Sequence, residues 1–97
     1  MAVIVITEVR MAKQATRDLI KIPAYIRDKL YFWKNDVELK GVEEVRKIPG
    51  YRDHPLKGNR RGQRSVYLNR SYRAIYEIST DGAVEFVSVE EVSNHKY

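Results

Sequence analysis

The side chains best suited to chemistry lie in residues 49–76, which we call the basic segment. It combines cations with tyrosines and contains one acidic residue, Asp53. Its cations are Arg52, Lys57, Arg60, Arg61, Arg64, Arg70 and Arg73, and its tyrosines are Tyr51, Tyr67, Tyr72 and Tyr76. Cationic side chains attract phosphates through counterion release, and aromatic rings offer flat faces on which unstacked bases can sit. The basic segment is therefore typical of a surface that binds nucleic acid.

The chemistry open to these residues is acid–base catalysis with cationic support. The chain has no cysteine, which excludes disulfides, thiolate metal sites and cysteine nucleophiles. Its two histidines, His54 and His95, lack metal-ligand spacing, and the run GNRRG lacks the Lys-Ser/Thr end of a phosphate-binding loop. We predict neither a metal nor another cofactor. Histidine, lysine, arginine and tyrosine are the residues that can deprotonate a ribose 2′-OH, stabilise a dianionic phosphorane and protonate the leaving oxygen.

Each of these candidates also has a purely structural interpretation. His54 precedes a proline in a turn, His95 belongs to the tail, and Lys57 is typical of a solvated loop. Tyr97 could be a last apolar contact. Arg73 is harder to explain in this way, because it lies in a predicted strand between apolar neighbours, where an unpaired charge is costly. A non-catalytic patch that binds nucleic acid or an acidic protein is the structural alternative for the whole basic segment.

Composition indicates a single domain over residues 1–97. Apolar residues make up 43% of the chain, enough for a modest core. The net charge is +5 and the pI is near 9.6, which favours nucleic acid, an anionic membrane surface or an acidic protein as partner. No apolar run approaches the roughly 20 residues that span a bilayer. We expect a cytoplasmic protein that does not associate with a membrane.

The first half of the chain predicts one strand and two helices. Residues 3–7 form an apolar, β-branched run that indicates a buried strand, and Thr7 is placed to cap a helix over residues 8–22. A second helix is predicted from Pro23 because its apolar residues step by four, three and four, at Ile26, Leu30, Trp33 and Val37. Gly41 predicts a bend or break in that helix.

The second half predicts three strands. Turn-forming residues dominate residues 55–62, and strands are expected at 64–69, 72–79 and 84–89 or 84–92, with a hairpin turn at 80–82. Both faces of the last strand are partly apolar, which indicates a central position. The predicted fold is α+β: an N-terminal strand, two helices and a three-strand antiparallel meander, with the helices packed on one face of the sheet and the other face open.

The basic segment resembles a known family. The run PGYRDHPLKGNRRGQRSVYLNRSYRAIYEI is similar to the core of the RelE/ParE toxin superfamily, and HPLKG followed by a G-x-x-S strand and an N-x-x-Y-R strand most resembles HigB-type and RelE-like toxins. The resemblance implies the RelE/ParE-like fold. It also implies the toxin of a type II toxin–antitoxin system, a ribosome-dependent, metal-independent mRNA endonuclease whose partners are a cognate antitoxin, the ribosome and mRNA.

The resemblance also implies roles for individual residues. His54 and Lys57 match a catalytic His and Lys in HPLKG, and Arg73 matches an arginine that contacts the scissile phosphate. At the C-terminus His95, Lys96 and Tyr97 resemble the His- and Tyr-rich ending of these enzymes, although Lys96 stands where some relatives carry His. Either histidine could be the general base. RNA binding is expected from Arg60, Arg61, Arg64, Arg70 and Tyr67.

Two other functions are compatible with the sequence. The ParE branch of the superfamily inhibits DNA gyrase without a nuclease step, although it generally lacks the His/Lys and terminal His/Tyr set. An inactive RNA-binding module would bind RNA with a steep dependence on salt concentration and never cleave it.

Overall fold

The computed structural model describes residues 5–94, which form a five-stranded mixed sheet and three helices. In chain order the elements are β1 (Val9–Met11), α1 (Lys13–Lys21), α2 (Ala24–Lys40), α3 (Val42–Val45), β2 (His54–Pro55), β3 (Gln63–Tyr67), β4 (Arg73–Asp81) and β5 (Val84–Ser93). The strand order is β1-β5-β4-β3-β2. β1 runs parallel to β5, and every other pair is antiparallel. This confirms the predicted α+β fold, including the meander and the internal position of its last strand.

The core lies between the helices and one face of the sheet. The four α2 residues that step by four, three and four are fully buried, as the sequence predicts. They join a cluster with buried residues of β3, β4 and β5, including Val66, Tyr76 and Val89. The rings of Trp33 and Tyr76 meet with centroids 5.2 Å apart and planes tilted by 45°. The helices therefore cover one face of the sheet. The other face is open only in part, since Ile75 and its partner Ser65 are buried there.

Gly41 produces the predicted break in the second helix. Its backbone has φ +87° and ψ 148°, a region that is essentially restricted to glycine. Its N–H donates to the Val37 carbonyl at 2.8 Å and so ends α2. A Cβ at this position would overlap the side chain of Val5. The chain therefore turns here into α3, which buries Val42 and Val45 against the core.

The N-terminal strand begins later than the apolar run predicts. Residues 5–8 lie in no strand, and residues 3 and 4 are outside the described part. The strand is Val9–Met11, the following helix begins at Lys13 rather than at residue 8, and Ala12 replaces Thr7 as its N-cap. The cause is pairing with β5: Val87 N–H donates to the Glu8 carbonyl at 2.8 Å, and Ala12 N–H donates to the Val89 carbonyl at 2.9 Å. On the side away from β4, the backbone groups of the buried strand β5 need hydrogen-bond partners, and this need determines which residues become β1.

The three predicted strands of the meander agree with β3, β4 and β5 to within a few residues, whereas β2 was not predicted. In the pairing of β4 with β5, Tyr76 pairs with Val89 and Ile75 pairs with Glu91, so Glu90 is an extra residue that forms a bulge. The basic segment contains two short 3-10 turns, Pro49–Tyr51 and Gly58–Arg60, and the two-residue strand β2.

None of the helices within residues 5–94 has the length and apolar character needed to cross a membrane.

Candidate active site

Alternation along β3 and β4 separates core residues from site residues. Val66 of β3 pairs with Ala74 of β4, and both side chains point into the core. The next pair along the two strands is Tyr67 with Arg73. Residues directly opposite each other on paired strands project to the same face of the sheet. Tyr67 and Arg73 therefore project together from the face of the sheet opposite the helices.

A cavity of about 460 Å³ opens on this face, at the β2 edge of the sheet. Its lining contains three arginines, a histidine and no acidic residue. The lining residues are Arg52, His54, Ser65, Tyr67, Arg70 and Arg73. His54, Tyr67, Arg70 and Arg73 were predicted from the sequence, whereas Arg52 and Ser65 were not assigned to the site. The fold thus brings distant parts of the basic segment into one cationic depression.

His54 is held in a defined tautomer. It lies in β2, in register with the buried Ser65 of β3. Its Nδ1 is 2.8 Å from the carbonyl oxygen of Arg52. A carbonyl oxygen can only accept a hydrogen bond, so Nδ1 must carry the proton. In the neutral ring, Nε2 is then the nitrogen left to accept a proton, as a general base requires.

Arg73 carries a donor that has no partner among the described residues. Its Nε is buried and has no hydrogen-bond partner within residues 5–94. The same holds for the hydroxyl of Ser93, the residue opposite Arg73 in the pairing of β4 with β5. A buried polar group without a partner is costly and rare in native structures. The Arg73 side chain also lines the cavity, where a phosphate would offer oxygen acceptors to its guanidinium group.

Arg52 is the charged residue of this site that sequence reasoning missed. Within residues 5–94 it is the one non-glycine residue with positive φ, at φ 46° and ψ 41°. Its guanidinium carbon lies 4.5 Å from the centroid of the Tyr67 ring, at cation–π distance. The only sequence signal was its place two residues before His54 in the basic segment.

The residue between Arg52 and His54 anchors the site to the core. The side chain of Asp53 is only 1% exposed. Its carboxylate accepts hydrogen bonds from Arg64 Nε at 2.5 Å and from the Tyr76 hydroxyl at 2.5 Å. Arg46 Nε donates to the Tyr76 hydroxyl oxygen at 3.0 Å. Burial and the hydrogen bond to Asp53 raise the pKa of Tyr76, so its hydroxyl stays protonated and continues to donate.

The other predicted residues occupy several environments. Lys57 and Arg60 line a neighbouring depression of about 540 Å³ that shares His54 with the cavity. Arg60 also forms an ion pair with Glu91 and donates to Gln63 Oε1 at 2.8 Å. Arg61 is exposed and lines neither depression. The predicted residues His95, Lys96 and Tyr97 lie outside the described residues.

The interspersed tyrosines do not form one exposed aromatic surface. Tyr76 is fully buried, Tyr72 packs against the core, and the Tyr51 hydroxyl donates to Asp36 at 2.5 Å. Among these four, Tyr67 alone lines the cavity. The reason is the strand alternation, which places Tyr76 in phase with Ala74 on the core face.

Between residues 5 and 94, no three His, Asp or Glu side chains are close enough to hold a metal ion together.

The backbone is similar to those of solved toxin structures. It matches YafQ from E. coli with a TM-score of 0.69 and 17% identity, over 91% of this chain and 92% of YafQ. For the YoeB/ParE toxin from Agrobacterium tumefaciens, the TM-score is 0.62 and the identity 19%, over 92% and 99% of the two chains. A chain of the toxin–antitoxin complex RelBE2 from Mycobacterium tuberculosis gives 0.60 and 24%, over 91% and 96%. The chain has the RelE/ParE toxin fold.

The RelE/ParE fold predicted from the basic segment is thereby confirmed over nine-tenths of the chain. At the level of sequence, neither a family model nor a curated protein matches the chain. Because the three structures described above are each below 25% identity, the property that they share with this chain is the fold. Function has to be argued from the cavity itself.

Proposed function

We propose that this protein is the toxin of a type II toxin–antitoxin system and acts as an endoribonuclease that cleaves mRNA on the ribosome. The observation that carries the proposal is the cationic cavity, which is lined by Arg73 and by His54, whose Nδ1 donates to the Arg52 carbonyl. A proton acceptor beside a phosphate-binding donor is what cleavage of RNA by its own 2′-OH requires. The RelE/ParE toxin fold supports the same conclusion.

In the proposed reaction, His54 Nε2 takes the proton from the ribose 2′-OH. The 2′-oxygen attacks phosphorus, and the bond from phosphorus to the 5′-oxygen breaks, giving a 2′,3′-cyclic phosphate and a 5′-hydroxyl end. Arg73 donates to the non-bridging oxygens, whose charge increases in the transition state. Lys57 adds a second positive charge from the neighbouring depression. We assign protonation of the leaving oxygen to the predicted C-terminal group of His95, Lys96 and Tyr97.

The remaining cations are proposed to hold RNA or the site itself. Arg70 and Arg61 are exposed and suited to phosphates of the message or of ribosomal RNA. Arg64 is committed to the buried Asp53, so we propose that it mainly supports the site. Arg60 forms an ion pair with Glu91, and we propose that it breaks this ion pair when it binds an RNA phosphate.

We also propose a cognate antitoxin as partner. Two of the similar structures are toxin–antitoxin complexes: the DinJ–YafQ complex from E. coli and the RelBE2 complex from Mycobacterium tuberculosis. The net charge of +5 and the cavity without acidic residues would suit an acidic segment that covers the site. We expect the toxin to act in the cytoplasm, where the message and the ribosome are found.

Primer extension on a reporter mRNA in a translating extract tests this function. Adding the purified protein is expected to produce cuts at defined codon positions, and blocking initiation is expected to remove them. Message that stays intact while replication stalls in expressing cells would contradict the proposal and favour gyrase inhibition instead. RNA binding without any cut would favour the inactive RNA-binding module.

A further inference from the structure

Arg52 has an unusual backbone conformation that its surroundings impose. Non-glycine residues in the left-handed region are strained and persist when the surrounding structure requires them. Here the Arg52 N–H donates to the Pro49 carbonyl at 3.1 Å, closing a 3-10 turn. On the other side, Asp53 is fixed by its two hydrogen bonds in the core. The conformation directs the Arg52 carbonyl to His54 Nδ1 and its side chain to Tyr67.

The contact with Tyr67 has two consequences for the cavity. It holds an exposed, flexible arginine in one place beside His54 and Arg73, which lowers the entropy cost of binding an anion. It also covers one face of the Tyr67 ring with the guanidinium, so a base has no access to that face. Arg52 makes no ion pair with an acidic residue between residues 5 and 94, so its charge is available to a ligand.

We propose that Arg52 binds the phosphate backbone of the RNA substrate together with Arg73, and that Tyr67 is the positioning residue for Arg52 rather than a platform for a base. The inference deepens the proposed function and rests on it for the identity of the substrate. It assigns a phosphate-binding role to Arg52, which the resemblance did not indicate. Tyr67 then contributes to RNA binding only by holding Arg52 in place.

A double-mutant cycle tests this assignment. Arg52→Gly is the suitable substitution because glycine adopts the left-handed backbone freely, which leaves the carbonyl at His54 in place. We expect Arg52→Gly to lower the cleavage rate by about 10- to 100-fold, as loss of a charge-assisted contact does. We expect Tyr67→Leu to lower it by about threefold, as loss of a cation–π contact does. Tyr67→Phe keeps the aromatic face and should retain more activity than Tyr67→Leu.

The combined variant distinguishes the two roles of Tyr67. If Tyr67 acts through Arg52, adding Tyr67→Leu to Arg52→Gly lowers the rate no further. If Tyr67 stacks on a base, the two losses multiply, and the positioning role is wrong. Arg17→Ala, which removes an exposed arginine from α1 on the helix side of the sheet, controls for the change in net charge.

Binding of a non-cleavable RNA keeps the test independent of nuclease activity. A 2′-O-methyl oligonucleotide is titrated at several salt concentrations with the parent protein and with Arg52→Gly. Loss of one phosphate contact reduces the salt slope for a single strand by about 0.7. An unchanged slope together with parental cleavage would overturn the role of Arg52. A parent protein that binds with the steeper slope but never cleaves would instead contradict the proposed function and leave the Arg52 contact supported.

Discussion

Alanine at either His54 or Arg73 is expected to reduce RNA cleavage by about 100- to 10,000-fold, the range for loss of a general base or of a transition-state donor. Both side chains line the cavity. The fold should survive each change, because His54 is exposed and Arg73 Nε makes no hydrogen bond to the described residues that would be lost. The rate is measured with saturating protein on a translated message, after circular dichroism has verified folding.

Matched variants separate a chemical role from a loss of charge. Arg17→Ala removes the same charge on the opposite side of the sheet and should cleave at the parental rate. Arg73→Lys keeps the charge but loses the planar fork of donors, so an intermediate rate is expected. Added imidazole should partly restore His54→Ala, because it can replace the missing base. Parental rates in both alanine variants would show that the catalytic assignment is wrong.

Asp53→Ala is expected to produce the largest loss of stability among alanine substitutions at the charged residues of the basic segment. Removing one partner of a buried ion pair typically costs about 3–5 kcal/mol. The change leaves Arg64 without its carboxylate and the Tyr76 hydroxyl without its acceptor. Because the Arg64 side chain is 25% exposed and can partly rehydrate, we expect about 3 kcal/mol. Urea unfolding monitored by the fluorescence of the buried Trp33, which contacts Tyr76, measures the loss.

Asp81→Ala is the control for this prediction. Asp81 also forms an ion pair, with Arg10 at 3.0 Å, but its side chain is 67% exposed. Exposed ion pairs contribute about 0–1 kcal/mol, so the midpoint of this variant should stay close to that of the parent. Equal losses in the two variants, or a loss below about 1 kcal/mol in Asp53→Ala, would contradict an anchoring role for Asp53.

The sequence predicted the sheet well because two strong local signals agreed with the tertiary structure. Alternation placed Val66 and Ala74 on one face and Tyr67 and Arg73 on the other, and pairing in register preserved that separation. The break at Gly41 was also predictable, since glycine in the middle of a helix weakens it. These features depend on residue type and period, which a single sequence displays directly.

The features that the sequence did not reveal depend on contacts between distant residues. The start of β1 follows from the free edge of β5, about 80 positions away along the chain. The positive φ of Arg52 follows from the anchoring of Asp53 to β3 and β4. Tyr76, by contrast, is in phase with Ala74, so alternation along the strand is enough to place its ring in the core. Asp53, the single acid of the basic segment, was likewise a natural partner for a neighbouring arginine.

The most direct test of the account is cleavage of a message that carries one 2′-deoxynucleotide at the mapped cut site. If the protein cleaves by attack of the 2′-oxygen, that linkage stays intact, while the matched all-ribose message is cut and ends in a 2′,3′-cyclic phosphate. Cleavage of the deoxy linkage at the same rate, leaving a 3′-hydroxyl, would contradict attack by the 2′-oxygen with His54 as its base and would require a different reaction at this cavity.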